Sequence, residues 1–120
     1  MRTILVADDD PVSRELVVEA LSGHYRLIQA IDGQEALALL RTSRPRLALL
    51  DIRMPGLDGY GVLAEARRDP DIRHIPILAV TAFAMQGDHQ RAVEAGFDGY
   101  LTKPVDLVAL RAKVRNLLGD

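Results

Sequence analysis

The sequence predicts an α/β fold: one domain built on a parallel sheet with helices on both faces. Three observations carry the prediction. Short continuous apolar runs, Thr3-Ile4-Leu5-Val6-Ala7, Leu47-Ala48-Leu49-Leu50 and Ile77-Leu78-Ala79-Val80, are what strands covered on both faces require. Segments of helical period separate the runs in strict alternation, five β and five α. Polar residues stand where runs stop: Asp8-Asp9, Asp51, Thr81, and Lys103 just beyond Tyr100-Leu101. Open sheets of this class place ligands outside the carboxyl ends of their strands, so these residues converge on one crevice.

Each element has its own signal. After the first strand, Asp10-Pro11 pairs an N-cap residue with proline at the first helical position, and Val12, Leu16, Val17, Ala20 and Leu21 follow one face until Gly23. Tyr25 to Ala30 reads as the second strand. Asp32-Gly33 turns into a helix carrying Ala36, Leu37 and Leu40, and Pro45 ends it before the third strand, Leu47 to Leu50. Asp58 caps a helix with Val62, Leu63 and Ala66, closed by Asp69-Pro70. The fourth run starts at Ile75, a polar helix spans Gln86 to Ala95, and Gly96 stops it. That polar helix has little apolar periodicity and contains Gly87, which costs about 1 kcal/mol relative to Ala, so it is expected to be the least firmly held. A short strand from Gly99 to Leu101 precedes a last helix with Leu107, Leu110, Val114 and Leu117 on one face.

Composition excludes several classes. The 120 residues, 48% hydrophobic, are enough for one core, and the expectation is a single domain, 1–120, with no output domain after the last helix. Fifteen Lys and Arg against seventeen Asp and Glu give a net charge of −2, which argues against a general nucleic-acid binder and a membrane-surface protein, while the lack of a long apolar stretch argues against membrane insertion. No cysteine is present, so disulfides, thiolate metal sites and thiol nucleophiles are out. No signal-peptide core and no apolar stretch of membrane-spanning length occur, and a cytoplasmic location is the expectation.

The polar residues then suggest chemistry. Asp8, Asp9 and Asp51 bring three carboxylates to one sheet edge, where two like charges 4 Å apart repel by about 4 kcal/mol at an effective dielectric near 20. A bound cation relieves this. Oxygen ligands without His or Cys select a hard ion, and Mg²⁺ suits one or two carboxylates plus phosphate oxygens. Lys103 offers an ammonium and Thr81 a hydroxyl to phosphate oxygens, which leaves Asp51 as nucleophile, a carboxylate able to accept a phosphoryl group. Asp10, before Pro11, and Asp58 are better explained as helix caps than as ligands. His24, His74 and His89 are scattered, and Arg67-Arg68 most simply complements a helix dipole.

The order Asp8-Asp9, Asp51 within Leu50-Asp51-Ile52-Arg53-Met54-Pro55-Gly56, Thr81-Ala82 and Tyr100-Leu101-Thr102-Lys103-Pro104 resembles the receiver domain of two-component response regulators along the whole chain. The resemblance implies a flavodoxin-like, doubly wound five-stranded sheet in the order 2-1-3-4-5 flanked by five helices. It implies a signalling switch, not an enzyme with an external substrate: Asp51 takes a phosphoryl group from a histidine kinase or histidine phosphotransfer protein. Mg²⁺ would be bound by Asp9, Asp51 and the backbone carbonyl of Arg53, with Asp8 nearby through water. Lys103 would pair with the phosphoryl group, Thr81 would move toward it, and Tyr100 would turn inward, altering the binding of a downstream protein on the face formed by the fourth helix, fifth strand and fifth helix. A cis Lys103-Pro104 peptide is also implied.

Arg53 and Phe83, each two residues beyond a site residue, are implied to tune access of the hydrolytic water. Arg53 departs from the common small or apolar choice, and gating of water, pairing with the phosphoryl group and contact with a partner all remain open for it. The loop Thr81 to Asp88 is particularly similar to stand-alone cell-cycle regulators, with an excised receiver of a hybrid kinase or larger regulator as the alternative. A haloacid-dehalogenase-like Mg²⁺ phosphatase shares the crude order Asp8-x-Asp10, Thr81, Lys103, but Val105-Asp106-Leu107 lacks the further acidic pair such an enzyme needs. A structural domain with a vestigial site is argued against by the intact set of polar residues.

Overall fold

The computed structural model describes residues 1–82, 85 and 87–119. In chain order these form β1 (Thr3–Ala7), α1 (Pro11–Leu21), β2 (Arg26–Ala30), α2 (Gly33–Ser43), β3 (Leu47–Leu50), α3 (Gly59–Arg68), β4 (Ile77–Thr81), α4 (Asp88–Ala95), β5 (Gly99–Thr102) and α5 (Leu107–Leu118). The strands make one parallel sheet in the order β2-β1-β3-β4-β5, the doubly wound, flavodoxin-like arrangement that the resemblance implied. Crossing from β1 outward in both directions puts the switch point between β1 and β3, where Ala7 pairs with Leu50 and the following residues, Asp8 and Asp51, stand side by side.

Alternation along each strand divides the apolar residues between two cores. Leu5, Ala48, Leu50, Ile77 and Ala79 face α2, α3 and the buried Ala92 of α4. Ile4, Val6, Leu49, Leu78 and Val80 face α1 and α5. Every residue of β3 and β4 is buried, which is why those segments read as unbroken apolar runs. Four helices start on aspartate caps: Asp10 accepts from the Val12 N–H, Asp32 from Glu35, Asp58 from Gly61, and Asp106 from Val108 and Ala109.

Four boundaries or faces differ from the sequence expectation. β4 begins at Ile77 instead of Ile75, because Pro76 has no N–H to give a ladder and the Ile75 N–H closes a turn on the Ile72 carbonyl. β2 begins at Arg26, with Tyr25 in an isolated bridge to Ser22. Val12 and Leu16 are 75% and 41% exposed, since the first turns of α1 overhang the sheet edge and the buried face is Val17, Ala20 and Leu21. They line, with Val80, Lys103, Pro104 and Val105, a cavity of about 210 Å³. The polar fourth helix starts at Asp88, after Gly87 at φ 95°, and Gln86 lies outside the described residues.

α4 is held unequally at its two ends. Its start follows Gly87 without a side-chain cap, and Ala92 is its one buried residue. Its far end stops on Gly96 at φ 111° and meets Arg67, the residue expected only to complement a dipole. The Arg67 guanidinium donates to the carbonyls of Arg73 (3.0 Å), Ile75 (2.8 Å) and Gly96 (3.4 Å) and to Asp98 Oδ2 (2.8 Å), and Asp98 Oδ2 also accepts from the Ile77 N–H at 2.8 Å. One side chain thereby joins α3, the turn before β4 and the loop between α4 and β5. Among the described residues no helix is long and apolar enough to cross a membrane.

Candidate functional site

The end of β1 builds one wall of the site. The Asp8 N–H still donates to the Ala30 carbonyl at 3.1 Å, its Oδ1 accepts from the Asp10 N–H at 2.9 Å, and its carbonyl accepts from Arg14 at 2.8 Å. Asp8 is 4% exposed while Asp9, one residue further, is exposed. The end of β3 builds the second wall. The Asp51 N–H continues the ladder to the Ala7 carbonyl at 2.9 Å, its Oδ1 accepts from the Arg53 N–H at 3.2 Å, and the residue is 7% exposed. Its loop packs tightly on α3: the Gly59 N–H donates to the Ile52 carbonyl at 2.7 Å, and a Cβ on Gly59 would lie 2.7 Å from Ile52 Cα and 2.8 Å from the Asp51 carbonyl oxygen. Only glycine lets the helix start approach this closely.

Lys103 closes the third side. Its N–H donates to the Thr81 carbonyl at 2.8 Å, which carries the β4–β5 pairing one residue past the strand, and the Lys103-Pro104 peptide is cis. From there the ammonium reaches Asp8 Oδ2 at 2.8 Å and Asp51 Oδ2 at 2.9 Å. Burial alone would push the Lys103 ammonium down, but hydrogen bonds to Asp8 and Asp51 and their charges outweigh it and hold Lys103 above the ordinary lysine value. Burial pushes the Asp8 carboxyl above the ordinary range, against the downward pull of the Lys103 hydrogen bond and the Asp10 amide. Thr81, 1% exposed, ends β4 beside them.

One carboxylate oxygen each from Asp8, Asp9 and Asp51 lies within 4.8 Å of the other two. Three such oxygens, no His or Cys among them, and an edge open to water through Asp9 fit a hard divalent ion that keeps part of its hydration, as Mg²⁺ does. Asp8, Asp9, Asp51 and Lys103 thus come together, with Thr81 joined through its carbonyl and Arg53 through its amide. Asp10 and Asp58 cap helices. Phe83, expected to tune water access, lies outside the described residues.

Tyr100 sits one strand away, half-buried on β5, paired in register with Ala79. The His89 ring of α4 stacks on it, with centroids 5.1 Å apart and planes 18° from parallel. Burial first, then the nearby Asp88 and Tyr60, raise the Tyr100 phenol above its ordinary value. His89, Arg14 and Gln29 are site neighbours that sequence reasoning missed. For Arg14 a signal existed: a long side chain in the first turns of α1 leans back toward the helix start, and so toward the end of β1.

Residues 4–115 match the family described as response regulator receiver domain. The chain is 41% identical over 115 residues to the response regulator PleD of Caulobacter vibrioides, covering 95% of this chain but 25% of that protein's length. It is 34% identical over 120 residues to the polar-differentiation response regulator DivK of Brucella anthropi, covering 99% of this chain and 98% of that one. Among solved structures it is similar to the receiver domain of the sensor histidine kinase PA1611 from Pseudomonas aeruginosa, which has a magnesium ion coordinated in its active-site cleft: TM-score 0.91, 33% identity, covering 99% of this chain and 98% of that one.

Proposed function

Since the chain belongs to the response regulator receiver domain family, we propose that it is a phospho-accepting switch whose acceptor is Asp51. The observation that carries this reading is the Asp51 carboxylate, buried at the switch point of the sheet and held at its two oxygens by the Arg53 amide and the Lys103 ammonium. A carboxylate so placed has fixed direction and little water around it, which favours attack on phosphorus over competing hydration. An Asp51 oxygen forms the new P–O bond while the bond from phosphorus to the donor's imidazole nitrogen breaks, and the nitrogen keeps that electron pair. The donors that fit are a histidine kinase or a histidine phosphotransfer protein.

Asp9, Asp51 and the Arg53 carbonyl would hold Mg²⁺, with Asp8 nearby through water; the ion supplies positive charge to the phosphoryl oxygens. Lys103 exchanges its contact with Asp51 for one with the phosphoryl group and Thr81 turns its hydroxyl to the same group, because phosphorylation adds about −1.5 to −2 charge and three acceptor oxygens. Tyr100 responds to the vacated space, and with it the surface of α4, β5 and α5 where a downstream protein binds.

Intact-mass analysis after incubation with acetyl phosphate tests the reading. A single Mg²⁺-dependent, alkali-labile phosphate absent from Asp51→Asn is the expected result. Equal uptake by the variant and the wild type would refute the acceptor, and steady turnover of phosphate esters would point to a phosphatase.

A further inference from the structure

We propose that Arg14 is the positioning residue of the metal-binding wall: its guanidinium, oriented by Gln29, grips the Asp8 carbonyl and thereby sets where the Asp9 carboxylate stands. This rests on the reading of the site as a Mg²⁺-dependent phosphoacceptor. The strand ladder between β1 and β2 ends at Ala7–Ala30, and Asp8 is the first residue past it. Its N–H keeps a partner in the Ala30 carbonyl, but its carbonyl has left the sheet and takes its hydrogen from Arg14 at 2.8 Å. Arg14 Nε donates at the same time to Gln29 Oε1 at 3.0 Å, and Gln29 pairs in register with Val6 on the neighbouring strand.

The consequence falls on Asp9. That residue is exposed, and it shares the carboxylate cluster with two buried aspartates that have their own partner in Lys103. Asp9 is placed by its backbone, which is fixed on one side by the Asp8 carbonyl and on the other by Asp10, whose N–H bonds Asp8 Oδ1 and whose side chain caps α1. Releasing the Asp8 carbonyl frees the peptide that joins Asp8 to Asp9. A planar fork with two donors in fixed relation is suited to hold a carbonyl and an amide oxygen together, and a lysine ammonium cannot reproduce both contacts.

Two roles of Arg14 predict opposite signs. As a mere positive charge near three carboxylates it would oppose a cation, and its removal would tighten Mg²⁺ binding. As a positioning residue its loss weakens binding, as for outer partners of metal ligands, by about tenfold. Titration calorimetry with Mg²⁺ on the whole chain therefore decides between them. Arg14→Lys and Arg14→Gln are both expected to bind Mg²⁺ about tenfold more weakly, with the Mg²⁺ midpoint for phosphate uptake shifted in step and the rate at saturating Mg²⁺ retained. Gln29→Ala, on an exposed strand position, guards against a folding defect and is expected to weaken binding in the same direction, by about threefold. Wild-type affinity in Arg14→Lys, or tighter binding in Arg14→Gln, would overturn the proposal. A wild-type chain that binds no Mg²⁺ would instead take the phosphoacceptor reading down with it, so the two failures are distinguishable.

Discussion

Replacing Lys103 by Met removes one ammonium and keeps most of the apolar stem. Asp8 and Asp51 then face each other with carboxylate oxygens within 4.8 Å and no cation between them. At 4.8 Å and an effective dielectric near 20 this repulsion is about 3.5 kcal/mol. The alternative, protonating Asp8, costs about 1.4 kcal/mol per pH unit above its ordinary value of 3.8, or about 4 kcal/mol at pH 7. The two costs are close, so the variant should be about 3.5 kcal/mol less stable than wild type at pH 7 without metal. At pH 5 protonation costs about 2 kcal/mol, and the deficit should shrink to that. The sign follows from Asp8: a carboxyl whose folded value is raised contributes stability below its unfolded value and loses it as pH rises through the folded one. Urea unfolding followed by far-ultraviolet circular dichroism, at both pH values in a chelator and again in excess Mg²⁺, reads all of this. Mg²⁺ should restore more stability to the variant than it adds to the wild type. A variant as stable as wild type at pH 7 without metal, or a deficit that grows on acidification, would refute the reasoning.

Gly59→Ala sets a helix-propensity gain of at most about 1 kcal/mol against backbone overlap at Ile52 and Asp51, which costs about 1–3 kcal/mol. The net is a loss in urea unfolding, with slower phosphate uptake because the overlap falls on the Asp51 carbonyl. Arg67→Ala should cost about 2 kcal/mol by exposing the Ile75 and Arg73 carbonyls and the Asp98 carboxylate, and Arg67→Lys should recover only part, as the same denaturation series would show. Asp9→Asn should keep the fold and weaken Mg²⁺ binding in calorimetry, whereas Asp51→Asn should abolish stable phosphate uptake in the mass spectrum.

The parts legible in the sequence are those where chemistry and topology coincide. β1, β3 and β4 announce themselves because both faces are buried, and Asp8, Asp51 and Thr81 stand out as the polar residues that end them. The sheet order followed from the resemblance and the convergence of Lys103 with the carboxylates from their places at strand ends, and the structure has both the order and the contacts. Other features depend on directions that a one-dimensional pattern lacks. Val12 and Leu16 fit the apolar period of α1, but whether that period meets a sheet depends on how far the helix overhangs the strand ends. Arg14 and Arg67 look like ordinary surface cations. Their partners are backbone carbonyls, which leave no mark on residue type.

The unequal anchoring of α4 makes it a lever. At 1.5 Å per residue its eight residues span about 12 Å, from a fulcrum at Gly96, where Arg67 and Asp98 tie the chain to the sheet, to a tip at Gly87. A tilt of about 10° about that fulcrum carries the tip about 2 Å while the base stays in register. His89 rides near the tip with its ring flat on Tyr100, so in the proposed switch a small rotation of the tyrosine would carry an exposed helix end sideways. The surface with the greatest leverage would then be the first turn of α4, and a partner that touched that turn would sense more displacement than one seated on its last.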